Sequence, residues 1–218
     1  DDEQIEELKR WWRENGKSTV LGVVLALGGF FGWQAWQGNQ LVESETASNL
    51  FQGLLDADAQ ALESPSAVEE AREFASRIKK EYPKTSYAQF AALHKAKYAA
   101  NEGEWAEAEA ELKWVLDSNP GELIAIQAKI NLAKTQLARE QYDAAISSLN
   151  IAEPKAYEAM IEELRGDIYI AKGDDVKALS HYQDALVAQE SLATGASNQM
   201  LDIKLQELSA RLSSEGGQ

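Results

Sequence analysis

The feature that most constrains the fold of this chain is an uncharged stretch over residues 18–42. A helix over residues 19–37 is about 28 Å long at 1.5 Å per residue, which nearly matches the roughly 30 Å hydrocarbon core of a membrane. It is apolar around its whole circumference, whereas a helix on the surface of a soluble domain has one apolar face. Trp33 and Trp36 lie at one end, as in an interfacial aromatic belt. We therefore predict a transmembrane helix over residues 18–38.

A cleaved signal peptide is an alternative interpretation of this stretch. Signal peptides begin with basic residues and end with small residues at the cleavage site. Here six acidic residues precede the stretch. Cleavage after Ala35 or Gly38 would also place Trp33 or Trp36 where a small residue is needed. We therefore expect the helix to remain as a membrane anchor.

The basic residues near the predicted span all lie on its N-terminal side. They are Lys9, Arg10, Arg13 and Lys17. After the span, no Lys or Arg occurs until Arg72. Since Lys and Arg near a span favour the cytoplasmic side, we expect residues 1–17 in the cytoplasm and residues 39–218 in the periplasm of a bacterium.

The cytoplasmic segment, residues 1–17, is amphipathic. Ile5, Leu8 and Trp12 fall on one helical face and the basic residues elsewhere, which is typical of an interfacial helix on anionic lipid. A charged flank with two anchoring tryptophans explains the same residues. Both interpretations predict contact with membrane lipid.

Small residues inside the predicted span form a second pattern. They are Gly22, Ala26, Gly28 and Gly32. Small residues four apart let another transmembrane helix approach closely, so we expect a helix-packing groove here. The alternative is that glycine is simply common in membrane spans.

The remainder of the chain contains an internal repeat. One small residue recurs at spacings of 37, 37 and 33, at Ala71, Ala108, Ala145 and Ala178. The pairs that also repeat at 37 residues are Pro83 and Pro120, Trp105 and Tyr142, and Leu112 and Leu149. Apolar residues three and four apart predict two helices per unit. Gly103 and Gly173 are expected in the turns between paired helices, with Glu140 taking that position in the middle copy.

This pattern resembles the tetratricopeptide repeat, a helix–turn–helix unit of about 34 residues. The last copy fits best, with Gly166, Tyr169, Gly173, Ala178, Tyr182 and Ala185 at the expected positions. A degenerate copy over about 44–83 and a last helix over about 197–212 would cover the ends of the solenoid. The predicted fold is therefore all-α: a single N-terminal transmembrane helix, then a tetratricopeptide-like α-solenoid over residues 39–218 with a C-terminal capping helix.

The N-terminal motif LKRWWRENGK, residues 8–17, is followed by the apolar span and then the repeats. This order resembles the YfgM family, the ancillary subunit of the SecYEG translocon. The resemblance implies a single-span protein of the bacterial inner membrane, N-terminus in the cytoplasm, that links emerging secretory proteins to the periplasmic chaperone PpiD. The alternative is a holdase that binds unfolded clients in its own repeat groove.

The family's groove positions imply a partner-binding surface on the first helix of each repeat. Carried over to this chain, they are Phe90, Leu93, Lys97, Gln127, Ile130, Lys134, Leu137, Met160, Glu163 and Ile170. Leu93 and Lys97 depart from the residues that grip a C-terminal carboxylate in other repeat domains. We therefore expect an apolar segment or a folded partner, the alternative being that several of these residues pack in the core.

Composition argues against other classes of function. The chain carries 36 acidic and 21 basic residues, and such a charge repels nucleic acid. It has no cysteine, and its two histidines, His94 and His181, are 87 residues apart with no ligand pair. We therefore predict no enzyme, cofactor, metal site or small-molecule substrate. The glutamates of residues 101–111 are expected to form a solvated face.

Overall fold

The computed structural model describes residues 2–61, 64–151, 155–191 and 198–215. Every regular element in these ranges is an α-helix, which confirms the all-α prediction. In chain order they are α1 (Asp2–Gln60), α2 (Pro65–Glu81), α3 (Ser86–Asn101), α4 (Trp105–Asp117), α5 (Glu122–Ala138), α6 (Tyr142–Ser148), α7 (Lys155–Lys172), α8 (Asp175–Ser191) and α9 (Gln199–Glu215). The chain divides into two units, Asp1–Asn49 and Leu50–Gln218.

The first unit is built from α1, whose large apolar side chains from Val20 to Val42 are exposed. Among the described residues, α1 is the one helix long and apolar enough to cross a membrane. It begins before residue 18 and continues past residue 38, so the predicted span boundaries are not helix ends. Hydropathy marks where lipid contact would start and stop, whereas a helix continues for as long as its backbone hydrogen bonds do.

In the second unit each helix from α2 to α9 packs against the next one along the chain. Helices α3, α5 and α7 also contact one another in succession. This arrangement is expected of stacked helix pairs, in which one helix of each pair forms a continuous inner layer. Leu50, Phe51 and Leu54 at the end of α1 pack with residues of α2 and α3, so this end of α1 and α2 form the degenerate first pair.

The alanines of the shared register are all fully buried. The larger residues that repeat four positions later, Leu112, Leu149 and Tyr182, are buried as well. At this register a methyl group lets two helix backbones approach, and the larger residue fills the space beside them. The repeat register derived from the spacing is therefore confirmed.

The three turns between paired helices share one geometry. Gly103, Glu140 and Gly173 have φ angles of 77°, 60° and 81°. The amide of the next residue closes each turn: Glu104 N donates to Ala99 O at 2.8 Å, Gln141 N to Gln136 O at 2.8 Å and Asp174 N to Tyr169 O at 2.9 Å. Such bonds satisfy carbonyls at a helix end. Glu140 adopts the turn conformation that glycine provides in the other copies.

The glutamates of α4 are not all solvated, which corrects the prediction for Glu109 and Glu111. Both are buried. Glu111 binds Lys79 Nζ at 2.5 Å and Lys95 Nζ at 2.9 Å. Glu109 binds Lys113 Nζ at 2.8 Å and also Arg139. Because Glu111 lies one helical turn after the buried Ala108, it faces the neighbouring helices, and its lysines join α2 and α3 to α4.

Helix α9 covers the end of the repeats, as predicted for the capping helix. Leu201 and Leu208 are buried against residues of α8, including Ala178 and Tyr182. Lys204 of α9 reaches back to α7 and binds Glu163 at 2.8 Å and Asp167 at 2.6 Å. Pro65 begins α2, and Pro83 and Pro120 lie between helices, as expected for residues without an N–H group; Pro154 lies outside the described residues.

Candidate functional site

The candidate site is a groove in the second unit between α3, α4 and α5, with a volume of about 530 Å³. Its floor is formed by Leu93, Ala96 and Leu112. Ala96 and Leu112 belong to a core cluster that also contains Val115 and Leu132. The floor is therefore held by core packing, and Trp105 adds an aromatic wall.

The rim of the groove is polar and carries basic side chains. Lys97 and Lys134 are exposed there, beside Asn101 and Asn131. No Asp or Glu is among the described residues that line it. In a chain with a net charge of −15, this surface is locally basic.

Asp58 at the end of α1 organises the α3 side of the groove. It accepts hydrogen bonds from Tyr98 Oη at 2.8 Å and from Lys97 Nζ at 3.1 and 3.2 Å. Burial alone would raise the pKa of Asp58, but these hydrogen bonds outweigh it and hold the pKa below its usual value. Burial and the bond to Asp58 raise the pKa of Tyr98 well above its usual value, which keeps the phenol a donor.

His94 lines the groove one turn before Tyr98. Its Nδ1 is buried without a hydrogen-bond partner in the described part of the chain, and Asp58 Oδ2 lies 3.8 Å away. Burial lowers the pKa of His94, an effect that Asp58 only partly opposes. The imidazole is therefore neutral at pH 7.

Three predicted partner-binding residues, Leu93, Lys97 and Lys134, line this groove. Phe90 lies outside the lining and is 37% exposed. Its ring centroid is 5.8 Å from that of Phe51, which is also 5.7 Å from Tyr87. Phe90 therefore belongs to a neighbouring aromatic surface.

Ile130 is fully buried in the core with Ile126 and Ile161, so its prediction as an exposed anchor is wrong. Ile130 was carried over from the family's groove positions, but in this chain it lies on the side of α5 that packs against α7. Leu137 also packs partly against this core. Only the part of the Leu137 side chain that stays exposed is therefore available to a partner.

The α7 residues predicted for the same surface do not line the groove. Met160 is 47% exposed. Ile170 packs against the cluster of Ala178 and Tyr182, and Glu163 binds Lys204 and Asn198. The predicted surface therefore divides. Of its members, Leu93, Lys97 and Lys134 come together in the groove, whereas Phe90, Gln127, Ile130, Leu137 and the α7 residues do not line it.

Sequence analysis missed Asn131, Asn101 and Trp105 as groove residues. A signal for Asn131 was present, because it repeats His94 at the same 37-residue spacing at which Lys134 repeats Lys97. Both pairs point into one groove because α3 and α5 are equivalent helices. Trp105 was identified only as a repeat position, and in the structure it is partly buried and lines the groove.

The small residues of the span face two directions on α1. At about 100° per residue, Gly28 and Gly32 share one face, and Gly22 and Ala26 share another about 120° away. They therefore do not form a single groove, which corrects that prediction. A Cβ added at Gly22, Gly28 or Gly32 would meet no atom within 4 Å, so both faces are open, and helix packing stays a prediction.

Glu162, His181 and Asp184 bring three possible metal-ligand atoms within 4.8 Å of one another. Glu162 is already bound by Arg165 and by His181 Nδ1, the latter at 2.6 Å. The ring of His181 stacks on Tyr169 at 5.1 Å. These contacts explain the cluster as an ion-pair network between α7 and α8, and we assign no metal to it.

Comparison with known proteins shows a family match that covers most of the chain. A family model described as a tetratricopeptide repeat-like domain matches residues 9–210. A protein of Haemophilus influenzae named ancillary SecYEG translocon subunit is 32% identical over 95% of this chain and 97% of its own length. Proteins of the same name from Escherichia coli and Neisseria gonorrhoeae are 28% and 26% identical over 96% and 94% of this chain, and 97% and 96% of their own lengths. The chain therefore belongs to the tetratricopeptide repeat-like family of ancillary SecYEG translocon subunits.

Proposed function

We propose that this protein is a membrane-anchored, non-catalytic subunit of the SecYEG translocon. Residues 18–38 anchor it in the inner membrane of a bacterium, and the repeat domain stands in the periplasm. There it acts as an adaptor that links emerging secretory proteins to the chaperone PpiD. The observation that carries this proposal is the end-to-end similarity to proteins named ancillary SecYEG translocon subunits.

The extent of that similarity supports both parts of the proposal. An alignment over 95% of this chain and 97% of the relative includes the exposed apolar part of α1 as well as the repeats. A likeness limited to the repeats would support only a general binding module, since such repeats serve many functions. Here the alignment covers both the apolar helix and the repeats of this chain.

The charges around the apolar segment support the proposed orientation. Basic residues occur over 9–17 and then not until Arg72. Charges of this kind within about 15 to 20 residues of a span favour the cytoplasmic side. This charge distribution supports the proposed position of the repeats on the periplasmic side, where an emerging chain and a periplasmic chaperone would meet.

The groove supports the adaptor role. Its floor is apolar and held by the core, and its rim is polar and exposed. Binding energy concentrates where apolar contacts are well packed, and polar groups around them set specificity. This is the kind of surface that a segment of another protein fits.

Photo-crosslinking of the full-length protein in Gram-negative membranes tests association with the translocon. A photoreactive residue replaces Gly28, and the matched control replaces Phe30, about 200° around the same helix. We expect crosslinks from Gly28 to a membrane subunit of the translocon and mainly lipid crosslinks from Phe30. If photoreactive residues at Gly28, Gly22 and Phe30 all crosslink only to lipid, the span does not contact the translocon.

Purification from mild detergent followed by mass spectrometry tests the adaptor role. We expect SecYEG and PpiD to copurify with the full-length protein. Recovery of SecYEG without PpiD, together with suppression of client aggregation by the repeat domain alone, would instead favour the holdase. Recovery of neither would contradict the proposed function.

A further inference from the structure

We propose that the groove between α3 and α5 binds an extended, internal segment of a partner protein that combines Asp or Glu with apolar side chains. This inference rests on the proposed function, since it names the chemistry of the segment that the adaptor holds. It replaces the purely apolar ligand that the sequence predicted. Lys134 is assigned as its main anion-binding residue and Lys97 as a second one.

The first argument is the sign of the charge. The chain has 15 more acidic than basic residues, yet the groove is lined by two lysines and by no acidic residue in the described part of the chain. Asp58 beside the groove offsets the charge of Lys97, so Lys134 carries the remaining positive charge. A peptide with acidic residues is attracted to this surface and repelled by most of the remaining surface. A basic peptide is instead repelled by the groove and attracted to the remaining surface.

The second argument is that Lys134 is uncommitted. It is exposed and has no ion-pair partner among the described residues. The two lysines of α3 already have ion-pair partners: Lys95 binds Glu111, and Lys97 shares the carboxylate of Asp58 with Tyr98. Lys134 therefore offers an ammonium group to a ligand without losing an internal contact.

The third argument comes from the amide of Asn131. Its Oδ1 accepts a hydrogen bond from Gln127 Nε2 at 3.1 Å, which leaves the two N–H donors of its Nδ2 unused. Asn131 lies three residues before Lys134, so both side chains are on one face of α5. Ammonium and amide donors on one helical face can both donate to one acceptor, and a carboxylate is the strongest acceptor that a peptide carries.

The apolar residues of the groove bind the apolar side chains of the segment. Leu93 and Trp105 are partly exposed in the groove, and burying them against an apolar side chain releases water from both. The acidic residues then fix the position of the segment, and the apolar residues supply contact area. A soluble anion alone would make only the first kind of contact.

The experiment measures peptide binding by fluorescence anisotropy with the full-length protein in detergent micelles. The probes are three fluorescein-labelled 12-residue peptides with identical apolar residues: one with Glu at four positions, one with Lys at those positions, and the Glu peptide with an amidated C-terminus. We expect both Glu peptides to bind at least tenfold more tightly than the Lys peptide. Their affinity should fall with added salt, because groups at the rim are screened.

Variants assign the binding to the groove. K134E should weaken binding of the Glu peptides by on the order of tenfold or more, since it replaces a hydrogen bond between opposite charges with repulsion between like charges. K134R should retain binding. The matched control is K84E, which makes the same charge change at an exposed lysine outside the groove. Circular dichroism melting confirms that each variant is folded.

Several results would overturn the inference. They are equal binding of the Glu and Lys peptides, unchanged binding by K134E, or loss of binding on amidation, which would identify a terminal carboxylate instead of an internal segment. Copurification of SecYEG and PpiD with the wild-type protein is measured in parallel. If it persists while the peptide result fails, only this inference is lost; if it also fails, the proposed function is lost.

Discussion

Gly166 permits the closest approach in the last repeat, and we predict that alanine there destabilises the domain. A Cβ at residue 166 would overlap Cε1 and Cδ1 of the Tyr182 ring. The ring cannot move aside, because Tyr182 is buried and its Oη donates to Asp167 at 2.7 Å. Overpacking of this kind costs about 1–3 kcal/mol. Urea unfolding followed by circular dichroism should show G166A destabilised by about that amount.

A double-mutant cycle provides the control for this prediction. Y182L removes the ring, so adding G166A to Y182L should cost much less than G166A alone. Equal costs in both backgrounds would mean that the clash with Tyr182 is not the cause.

His94 should make the stability of the domain depend on pH. Because burial lowers the pKa of His94 in the folded state despite Asp58, the unfolded state binds more protons as the pH falls through the ordinary value of 6.5. Stability is therefore lost as the pH falls through 6.5 towards the folded-state pKa. Urea unfolding at pH 7.5 and pH 5 should show a decrease in the free energy of unfolding that is smaller in H94Q.

The choice of this pH interval separates His94 from Asp58. Hydrogen bonds from Tyr98 and Lys97 outweigh burial and lower the pKa of Asp58, so its contribution is lost only below about pH 4. An equal decrease in the wild type and H94Q between pH 7.5 and pH 5 would assign the effect to other groups.

Glu111 joins three helices, and we predict that E111Q destabilises the repeat domain more than an equivalent surface change. The substitution leaves Lys79 and Lys95 partly buried without their carboxylate. Breaking a buried pair costs about 3–5 kcal/mol, and partial exposure of the lysines favours the lower end. The matched control is E107Q on the exposed face of α4, with an expected change within about 0.5 kcal/mol. Similar unfolding free energies would contradict a structural role for Glu111.

The helices show which features a sequence pattern can predict. The repeat spacing predicted the buried alanines and the turns at Gly103 and Gly173, because each depends on local geometry repeated along the chain. The capping helix was predicted separately, because a solenoid needs an end unit to cover its last apolar face. The spacing did not predict the burial of Glu109 and Glu111, since that depends on lysines and an arginine supplied by three other helices. The resemblance to the family implied Ile130 as a groove residue, but a position carried over from a family does not show which neighbouring helix covers it in this chain.

The sequence pattern also predicts part of the groove but not all of it. Equivalent positions in successive repeats, such as Lys97 and Lys134, come together because α3 and α5 are equivalent helices. The contribution of Asp58 was not predictable, since it lies at the end of α1 and reaches Lys97 only through the packing of the first helix pair. The α7 candidates failed to join the groove because Ile170 and Glu163 serve the contacts with α8 and α9.

The proposed membrane orientation of the whole molecule can be tested by cysteine labelling. Because the chain has no cysteine, one introduced cysteine is the sole site for a membrane-impermeant maleimide. The basic residues over 9–17 favour the cytoplasmic side, so E6C should be labelled only after the inner membrane is opened. K84C, at an exposed position in the repeats, should be labelled in intact spheroplasts.

Two further measurements separate orientation from anchoring in this experiment. Deletion of residues 1–38 removes most of the exposed apolar surface of α1, so the remaining chain should leave the membrane fraction on carbonate extraction while the full-length protein stays. The reverse labelling pattern, with E6C accessible and K84C protected, would invert the proposed topology. Because an adaptor for emerging secretory proteins must face the compartment into which they emerge, that result would also contradict the function proposed for the groove.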